Sequence, residues 1–217
     1  MCGRYTLTKN IKTIESHFKP VQTNLKYFPS FNIAPSQISV VVTQKSEMMG
    51  MKWGLVPTWA KDAQIGNKLI NARSETLHEK PSFRDSFENK RCLIPADGFI
   101  EWKGKQPYYI RFKDQRIFAF AGLWSTWDSG DKPLHTFTII TTKANQTLSA
   151  IHSRMPLIMH PKNYKKWFLD DNISLASPFT KNTEIDLEFF EISTAINSPK
   201  NNEISLLQPS GQKSFIF

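Results

Sequence analysis

The second residue of the chain, Cys2 in the opening run MCGRY, has the means for a chemistry that no internal residue has. Methionine is commonly removed when the next residue is small, and its removal would leave an α-amine and a thiol on adjacent carbons. The amine titrates at about 7.7–8.0 and the thiol at about 8.5, so both have reactive fractions at neutral pH. An aldehyde would form an imine with the amine, and the thiol would then close a five-membered thiazolidine in a favoured intramolecular step. Cys2 therefore indicates aldehyde capture, unless it is only a small residue that happens to follow methionine.

The two residues after Cys2 suit such a reaction. Gly3 has no Cβ, so it lets a substrate approach the backbone closely. Arg4 carries a permanent positive charge, which would favour the thiolate form of Cys2 and would bind a phosphate group. The alternative for Arg4 is an ordinary solvated surface arginine.

Five further segments accompany this opening run. They are NIAPSQ (32–37), NARSET (71–76), DGFIEWK (97–103), IHSRMP (151–156) and AINSPKNNEISLLQP (195–209). Together with MCGRY they resemble the SRAP family, the SOS response-associated peptidases or abasic-site processing proteins. Each motif is short, but all of them in one order, with one at the extreme N-terminus, form a specific signal. The resemblance extends from residue 2 to about residue 209.

The resemblance implies a concrete activity. Family members bind single-stranded DNA and attach covalently to abasic sites through the N-terminal cysteine, and the open-chain sugar of such a site is an aldehyde. The cross-link shields the lesion, and the chemistry is of the lyase type. An autoproteolytic loss of the first methionine is also attributed to the family. For this chain the resemblance implies single-stranded DNA with abasic sites as the partner, and no cofactor.

The resemblance also assigns four residues to the reacting centre. Cys2 would be the nucleophile, and the amide of Asn71 would hold the amine or the sugar by hydrogen bonds. Glu101 would move protons as the carbinolamine loses water, and its apolar neighbours would desolvate it and raise its pKa. His152 would protonate the sugar ring oxygen and promote opening to the aldehyde. Taken alone, the last three residues are more typical of a turn asparagine, an outward glutamate on a strand and a structural histidine.

The remaining candidates would contact DNA. They are the phosphate-binding Arg4, Arg73 and Arg154, the base-stacking Phe31, Trp53 and Trp59, and the cations Lys80 and Arg84. Arginine suits bidentate contact with phosphate, and each stacked base contributes about 1–3 kcal/mol whatever its sequence. For Trp53, core packing is an equally good interpretation. Lys80 or Arg84 would replace a second DNA-contacting arginine of the family that this chain lacks downstream of NARSET.

The composition agrees with an anionic partner. The chain of 217 residues has 28 Lys+Arg against 19 Asp+Glu, a net charge of +9, which favours nucleic acid or acidic lipid. Its two cysteines cannot form a disulfide framework, and the apolar surroundings of Cys92 predict a buried small hydrophobe. Its five histidines have no metal-ligand spacing, so a metal enzyme is the least favoured class.

Neither a signal peptide nor a membrane span is visible in the sequence. Residues 1–20 contain no apolar run, and no stretch approaches the roughly 18 apolar residues of a spanning helix. We expect a cytoplasmic monomer without a membrane partner, associated with the nucleoid if the source is bacterial.

The elements that would position these residues are mainly strands. Strand-like runs occur at 38–43, 49–55, 98–103, 106–112, 116–124, 135–142 and 187–193. Thr8 would cap a helix from Ile11 to Phe18, and short helices fit at 81–88, 145–151 and 161–168. Turns rather than regularly spaced helices join the strands, which predicts an α+β fold. We expect a single domain over 1–217 with a mainly antiparallel sheet that is curled or barrel-like.

Two other functions use the same residues. In an N-terminal-nucleophile amidohydrolase the terminal amine would be the base, the Cys2 thiol would attack an amide, and Asn71 would lie near the oxyanion of a thioester-forming step. A non-catalytic single-strand or RNA-binding module would need only the basic face and the aromatics. Incubation with an abasic oligonucleotide separates the first alternative from covalent capture, and a Cys2→Ala variant with full function would indicate the second.

Overall fold

Strands are the main regular element of the chain that the computed structural model describes, namely residues 2–23, 25–170, 173 and 185–211. In chain order they are β1 (Arg4–Leu7), β2 (Gln22–Thr23), β3 (Ser30–Ile33), β4 (Ile38–Thr43), β5 (Glu47–Trp53), β6 (Asn71–Arg73), β7 (Arg91–Ala96), β8 (Gly98–Lys103), β9 (Gln106–Phe112), β10 (Phe118–Trp127), β11 (Leu134–Lys143), β12 (Arg154–Pro156), β13 (Ile158–Met159) and β14 (Leu187–Glu191). The α-helices are short: α1 (Ile11–Phe18), α2 (Arg84–Asn89), α3 (Gln146–Ser149) and α4 (Tyr164–Leu169). Single 3₁₀ turns lie at Ala63–Lys68, Pro161–Asn163, Thr194–Asn197 and Ile204–Leu207.

A closed barrel of five strands forms the centre of the fold. β11, β10, β7, β4 and β5 are hydrogen-bonded in that order and antiparallel. A parallel pairing between β5 and β11, with Phe137 opposite Trp53, closes the ring. The predicted α+β class with a barrel-like sheet is therefore confirmed. Closure leaves few open strand edges, which stabilises a sheet built from short elements.

A second, antiparallel sheet of five strands carries the N-terminus. Its order is β14, β9, β8, β1 and β3, so β1 lies in the interior of the sheet between β8 and β3. Arg4 pairs with Ile100 on β8 and Tyr5 pairs with Ile33 on β3. The strand that follows Cys2 is thereby placed alongside the strand that bears Glu101.

Aromatic side chains join the second sheet to the barrel. Tyr5 is fully buried, with its ring edge-on to Trp53 at 5.2 Å and to Phe120 at 5.8 Å between centroids. Trp53 stacks in turn on Phe137 at 6.2 Å, and Phe99 packs edge-on against Phe120 at 5.9 Å. Such rings bury about 150–250 Å² each, so at about 25 cal/mol per Å² each contributes several kcal/mol. The two sheets are consequently held together rigidly beneath the N-terminus.

One glycine is required by this packing. Gly122 on β10 pairs with Cys92 on β7 and with Ile139 on β11. A Cβ at Gly122 would lie 2.1 Å from Cδ1 of Ile94 and 2.7 Å from the carbonyl oxygen of Thr138. The barrel wall therefore has no room for a side chain at this point.

The helix near the N-terminus begins differently from the prediction. Asn10 caps it by accepting a hydrogen bond from the backbone N–H of Thr13 at 2.9 Å, so the prediction of Thr8 as the cap is wrong. The hydroxyl of Thr8 instead donates to the carboxylate of Asp97 at 2.7 Å. The helix ends at Phe18 as predicted, because Lys19 adopts a left-handed conformation with φ of 48°.

Candidate active site and nucleic-acid interface

Cys2 lies at the base of β1 and is fully buried. The side-chain N–H of Asn71 donates to the carbonyl oxygen of Cys2 at 2.8 Å, and the Cys2 thiol donates to the carbonyl of Arg4 at 3.7 Å. Asn71 begins β6, which runs parallel to β11 and pairs with Ile139. The barrel therefore presents the amide that holds the start of the chain. The amide oxygen of Asn71 is buried without a hydrogen-bond partner among the described residues, so an acceptor stands next to Cys2.

Glu101 acts electrostatically on Cys2 and His152 acts on Glu101. Burial raises the pKa of Glu101, and a protonated His152 would partly oppose that rise. Burial also raises the pKa of the Cys2 thiol well above its ordinary value, and the carboxylate of Glu101 raises it further. The desolvated glutamate predicted from the sequence is confirmed. The thiolate-promoting effect expected of Arg4 is not seen, because its guanidinium binds Asn32 and Asn197 while burial and Glu101 shift the pKa of the Cys2 thiol upward.

The ring of His152 is oriented by the backbone that follows it. The N–H of Arg154 donates to Nδ1 of His152 at 3.0 Å. Nδ1 also lies 3.1 Å from the carbonyl oxygen of Arg154, so the same backbone residue holds the ring whether Nδ1 accepts or donates. His152 follows the short helix α3 and precedes β12, which pairs with the end of β11. Both His152 and Asn71 are thus placed by the same barrel strand.

The guanidinium of Arg154 is held by an acidic partner that sequence reasoning missed. Its two terminal nitrogens donate to the two carboxylate oxygens of Glu75 at 2.6 and 2.9 Å, and one of them also donates to the carbonyl of Thr141 at 2.7 Å. This hydrogen bonding holds the pKa of Glu75 below its usual range. Arg73 and Pro156 both pair with Thr141, so the sheet brings the two motifs together. A phosphate at Arg154 would have to compete with Glu75.

Arg4 is likewise engaged within the chain. Its Nε donates to Oδ1 of Asn32 at 3.0 Å, and its Nη2 donates to the carbonyl oxygen of Asn197 at 2.8 Å. These asparagines lie in two motifs, NIAPSQ and AINSPKNNEISLLQP, which carry the family resemblance but had no predicted chemical role. Asn32 and Asn197 lie 28 and 193 positions from Arg4, so no local pattern could have indicated the contacts.

The predicted DNA-contacting residues separate into exposed and buried groups. Arg73, Lys80 and Arg84 are exposed. Trp59 is 57% exposed, and its indole N–H donates to the carbonyl oxygen of Pro81 at 3.4 Å, which places the ring beside the segment of Lys80 and Arg84. These residues offer cations and one aromatic face to a ligand.

Two of the predicted stacking aromatics are less available. Trp53 is fully buried, and its indole N–H donates to the carbonyl of Ile70 at 2.8 Å. Of the two interpretations left open for Trp53, the structure shows core packing, and base stacking is corrected accordingly. Phe31 is half-buried against a smaller apolar cluster that includes Ile100 and Ile196.

Among the described residues, no group of three or more His, Cys, Asp or Glu side chains is placed to hold a metal ion. Within the same part of the chain, no helix has the length and apolar character needed to cross a membrane. Cys92 is fully buried, as its apolar neighbours predict.

Comparison with known proteins adds independent information. The family model described as SOS response associated peptidase (SRAP) matches residues 1–199. The abasic site processing protein YoqW of Bacillus subtilis is 43% identical over 225 residues, covering 96% of this chain and 99% of the relative. The abasic site processing protein HMCES of Gallus gallus is 31% identical, covering 85% of this chain and 67% of the relative. A crystal structure of a protein from Bacteroides thetaiotaomicron superimposes with a TM-score of 0.85 at 26% identity, covering 96% of this chain and 100% of that one.

Proposed function

Because this chain belongs to the SOS response associated peptidase (SRAP) family, we propose that it processes abasic sites in single-stranded DNA by bonding Cys2 covalently to the lesion. The observation that carries the proposal is the group formed by the buried Cys2 and Glu101 with the half-buried Asn71 and His152, whose members interact through hydrogen bonds and charge. The names of the relatives, as abasic site processing proteins, supply the substrate class. An abasic sugar in its open form has the aldehyde that an N-terminal cysteine traps.

The reaction begins with hydrolysis of the Met1–Cys2 peptide bond, by the protein itself or by an aminopeptidase. The freed amine of Cys2 adds to C1 of the open sugar and gives a carbinolamine. Loss of water forms the imine, and the thiol then adds across the C=N bond. The thiol proton finishes on the ring nitrogen, so the net change is amine, thiol and aldehyde to thiazolidine and one water. Ring closure is favoured because it is intramolecular, and the resulting thiazolidine ring resists hydrolysis better than an imine.

Glu101 and His152 supply the proton transfers in this scheme. With its raised pKa, Glu101 holds a proton nearer to neutral pH than an exposed glutamate, so it can give one to the departing hydroxyl. It can then accept one from the buried Cys2 thiol, which needs a base because its own pKa is raised. Nε2 of His152, whose Nδ1 is held by the backbone of Arg154, would donate a proton to the sugar ring oxygen as the ring opens.

Asn71 orients the nucleophile in this scheme. Its N–H group already binds the carbonyl of Cys2, and its amide oxygen is the acceptor for an N–H of the freed amine. A group held in this way loses less freedom on reaching the transition state. Asn71 therefore acts by fixing the direction of attack and not by transferring a proton.

The DNA strand would follow the exposed cations and Trp59. Arg73, Lys80 and Arg84 would bind phosphates, and Arg154 would join them when phosphate replaces Glu75. Trp59, with Phe31 in part, would stack on bases. Phosphate contact and stacking carry little sequence information, so we expect binding to single strands of any sequence. We expect the protein to bind as a monomer.

The deciding experiment is the intact mass of the protein after mixing with a single-stranded oligonucleotide that has one abasic site, without a reductant. We expect a species equal to protein minus methionine plus DNA minus one water. Cys2→Ala should remove this species, and the matched Cys92→Ala variant should keep it. No such species from protein whose free mass lacks methionine would overturn the proposal. Cleavage of an amide without DNA attachment would point to an amidohydrolase, and unchanged function in Cys2→Ala would point to a binding module.

A further inference from the structure

The segment that follows β14 crosses the strands next to the reacting centre. Residues 194–202, here called the strap, contain the 3₁₀ turn Thr194–Asn197 and fold back on themselves. The side chain of Asn201 donates to the carbonyl of Ala195 at 2.8 Å, and the backbone N–H of Ser198 donates to the same carbonyl at 3.3 Å. The strap is therefore a defined structure with its carbonyl groups turned toward a common donor.

That donor is the side chain of Asn32 on β3, which is 1% exposed. Its Nδ2 lies 3.1, 2.9 and 2.8 Å from the carbonyl oxygens of Ile196, Ser198 and Asn201. Its Oδ1 accepts the hydrogen bond from Nε of Arg4 at 3.0 Å. Asn32 thus binds the strap with one end of its amide and Arg4 with the other.

Arg4 is fixed at a second point by the strap itself, because its Nη2 donates to the carbonyl of Asn197 at 2.8 Å. Terminal residues are poorly ordered unless something ties them down, and Arg4 lies only two positions from Cys2. The side chain of Asn197 also accepts a hydrogen bond from the indole of Trp102 at 2.9 Å. Trp102 is the neighbour of Glu101, so the strap contacts both the strand of the nucleophile and the strand of the acid.

We propose that Asn32 is a positioning residue for covalent capture and that it acts through Arg4. The strap and Asn32 hold the Arg4 guanidinium, and Arg4 in turn sets where Cys2 lies relative to Glu101. This inference rests on the proposed function. A displacement of about 1 Å at a reacting group costs about 100-fold in rate, so loss of this restraint affects capture much more than DNA affinity.

The test measures DNA binding and covalent capture separately. Affinity is measured by fluorescence anisotropy with a tetrahydrofuran-containing oligonucleotide, which has no aldehyde. The capture rate is measured in a single turnover with saturating abasic oligonucleotide. We expect Asn32→Ala and Arg4→Lys each to slow capture of bound DNA by about 10- to 100-fold. The double variant should be no slower than the slower single one, because the two residues act as one unit.

Asn202→Ala is the matched control. Asn202 also ties this part of the chain to β3, through the backbone N–H of Phe31 at 2.7 Å and the hydroxyl of Ser30 at 3.2 Å, but it does not touch Arg4. We expect its capture rate to equal that of the wild type.

Four outcomes overturn the inference. The first two are a wild-type capture rate in folded Asn32→Ala and a wild-type capture rate in Arg4→Lys. The third is a double variant whose loss is the sum of the two single losses. The fourth is Asn202→Ala that slows capture as much as Asn32→Ala does. If melting shows that Asn32→Ala does not fold, Arg4→Lys decides alone, because it leaves the bonds from Asn32 to the strap in place. Absence of capture by the wild type removes the proposed function and this role with it, whereas capture with unchanged variants removes this role alone.

Discussion

The carboxyl group of Glu101 is held at a cost in stability. Its side chain is 4% exposed, and burial raises its pKa above the ordinary 4.5. For a group whose folded pKa is raised, the stabilising contribution is fully present below the unfolded pKa and is lost as pH rises through the folded pKa. At neutral pH the folded state therefore bears the cost of a desolvated charge. The same burial raises the pKa of Glu101, as its proposed role as a general acid requires.

Glu101→Gln separates these two effects. We expect slower capture of bound DNA, by about 100-fold or more, because the amide cannot transfer a proton. We also expect the free energy of unfolding at pH 7 to rise by about 0.5–2 kcal/mol, because a buried charge is removed. Urea denaturation at pH 7 and pH 4 measures this, and the gain should shrink at pH 4. The exposed Glu88 on α2 gives the control Glu88→Gln, which should change neither quantity. An equal gain at both pH values would contradict the argument.

The candidate reacting residues could be named from the sequence because each lies in a short motif, but their partners could not be. Asn71 and His152 are placed by their pairing around β11, which no local pattern reveals. Glu75 stands inside NARSET, yet only the sheet brings it to Arg154. The contacts of Asn32 with the strap were equally hidden, because these partners lie more than 160 positions further along the chain.

At the scale of elements, strands with unbroken β-branched or aromatic runs were predictable and interrupted ones were not. The predicted runs 38–43, 98–103 and 106–112 coincide with β4, β8 and β9. β7 was missed because Pro95 lies inside it, and proline lowers the strand signal.

The helices predicted at 81–88, 145–151 and 161–168 are longer than α2, α3 and α4, whereas the first helix has the predicted bounds. The helix expected at 161–168 divides into a 3₁₀ turn, Pro161–Asn163, followed by α4. The parallel pairing of β5 with β11 that closes the barrel is not indicated by the sequence of either strand. Local patterns therefore give the elements, and long-range pairing gives the ring.

The close approach of strands at Gly122 makes a prediction about the barrel. Gly122→Ala would place a methyl group against Ile94 and the carbonyl of Thr138, so we expect a loss of about 1–3 kcal/mol in unfolding free energy. Gly50→Ala on β5 is the control, because its Cβ would meet only the γ-methyl of Ile38 at 3.1 Å. Urea denaturation of both variants gives the comparison. Equal free energies of unfolding for the two variants would show that β10 moves to make room for the methyl group, which would contradict a rigid barrel wall.

For the whole molecule, the proposed function implies that the net charge of +9 governs encounter with DNA and that the buried centre governs reaction. With about four phosphate contacts, affinity for single strands should fall roughly 50-fold between about 50 and 200 mM salt. The capture rate of bound DNA should not change over this range, because the reacting groups are shielded from the ions.

Anisotropy titrations at several salt concentrations test this separation. Lys80→Gln should reduce the slope of log affinity against log salt by about 0.7, the share of one phosphate. The control is Lys113→Gln, since Lys113 is already paired with Asp186 at 2.6 Å. Affinity that does not respond to salt would remove phosphate contact as the source of binding.

The contact between Arg4 and Asn197 joins residues that are 193 positions apart. During synthesis, the residues around Arg4 leave the ribosome long before those of the strap exist. At about 5–20 residues per second, roughly ten seconds or more separate the two events. A nascent chain in this interval has its cysteine but lacks the restraint that aims it. In the proposed mechanism, Cys2 is therefore positioned for capture only once the strap, residues 194–202, has been made and has folded onto Arg4.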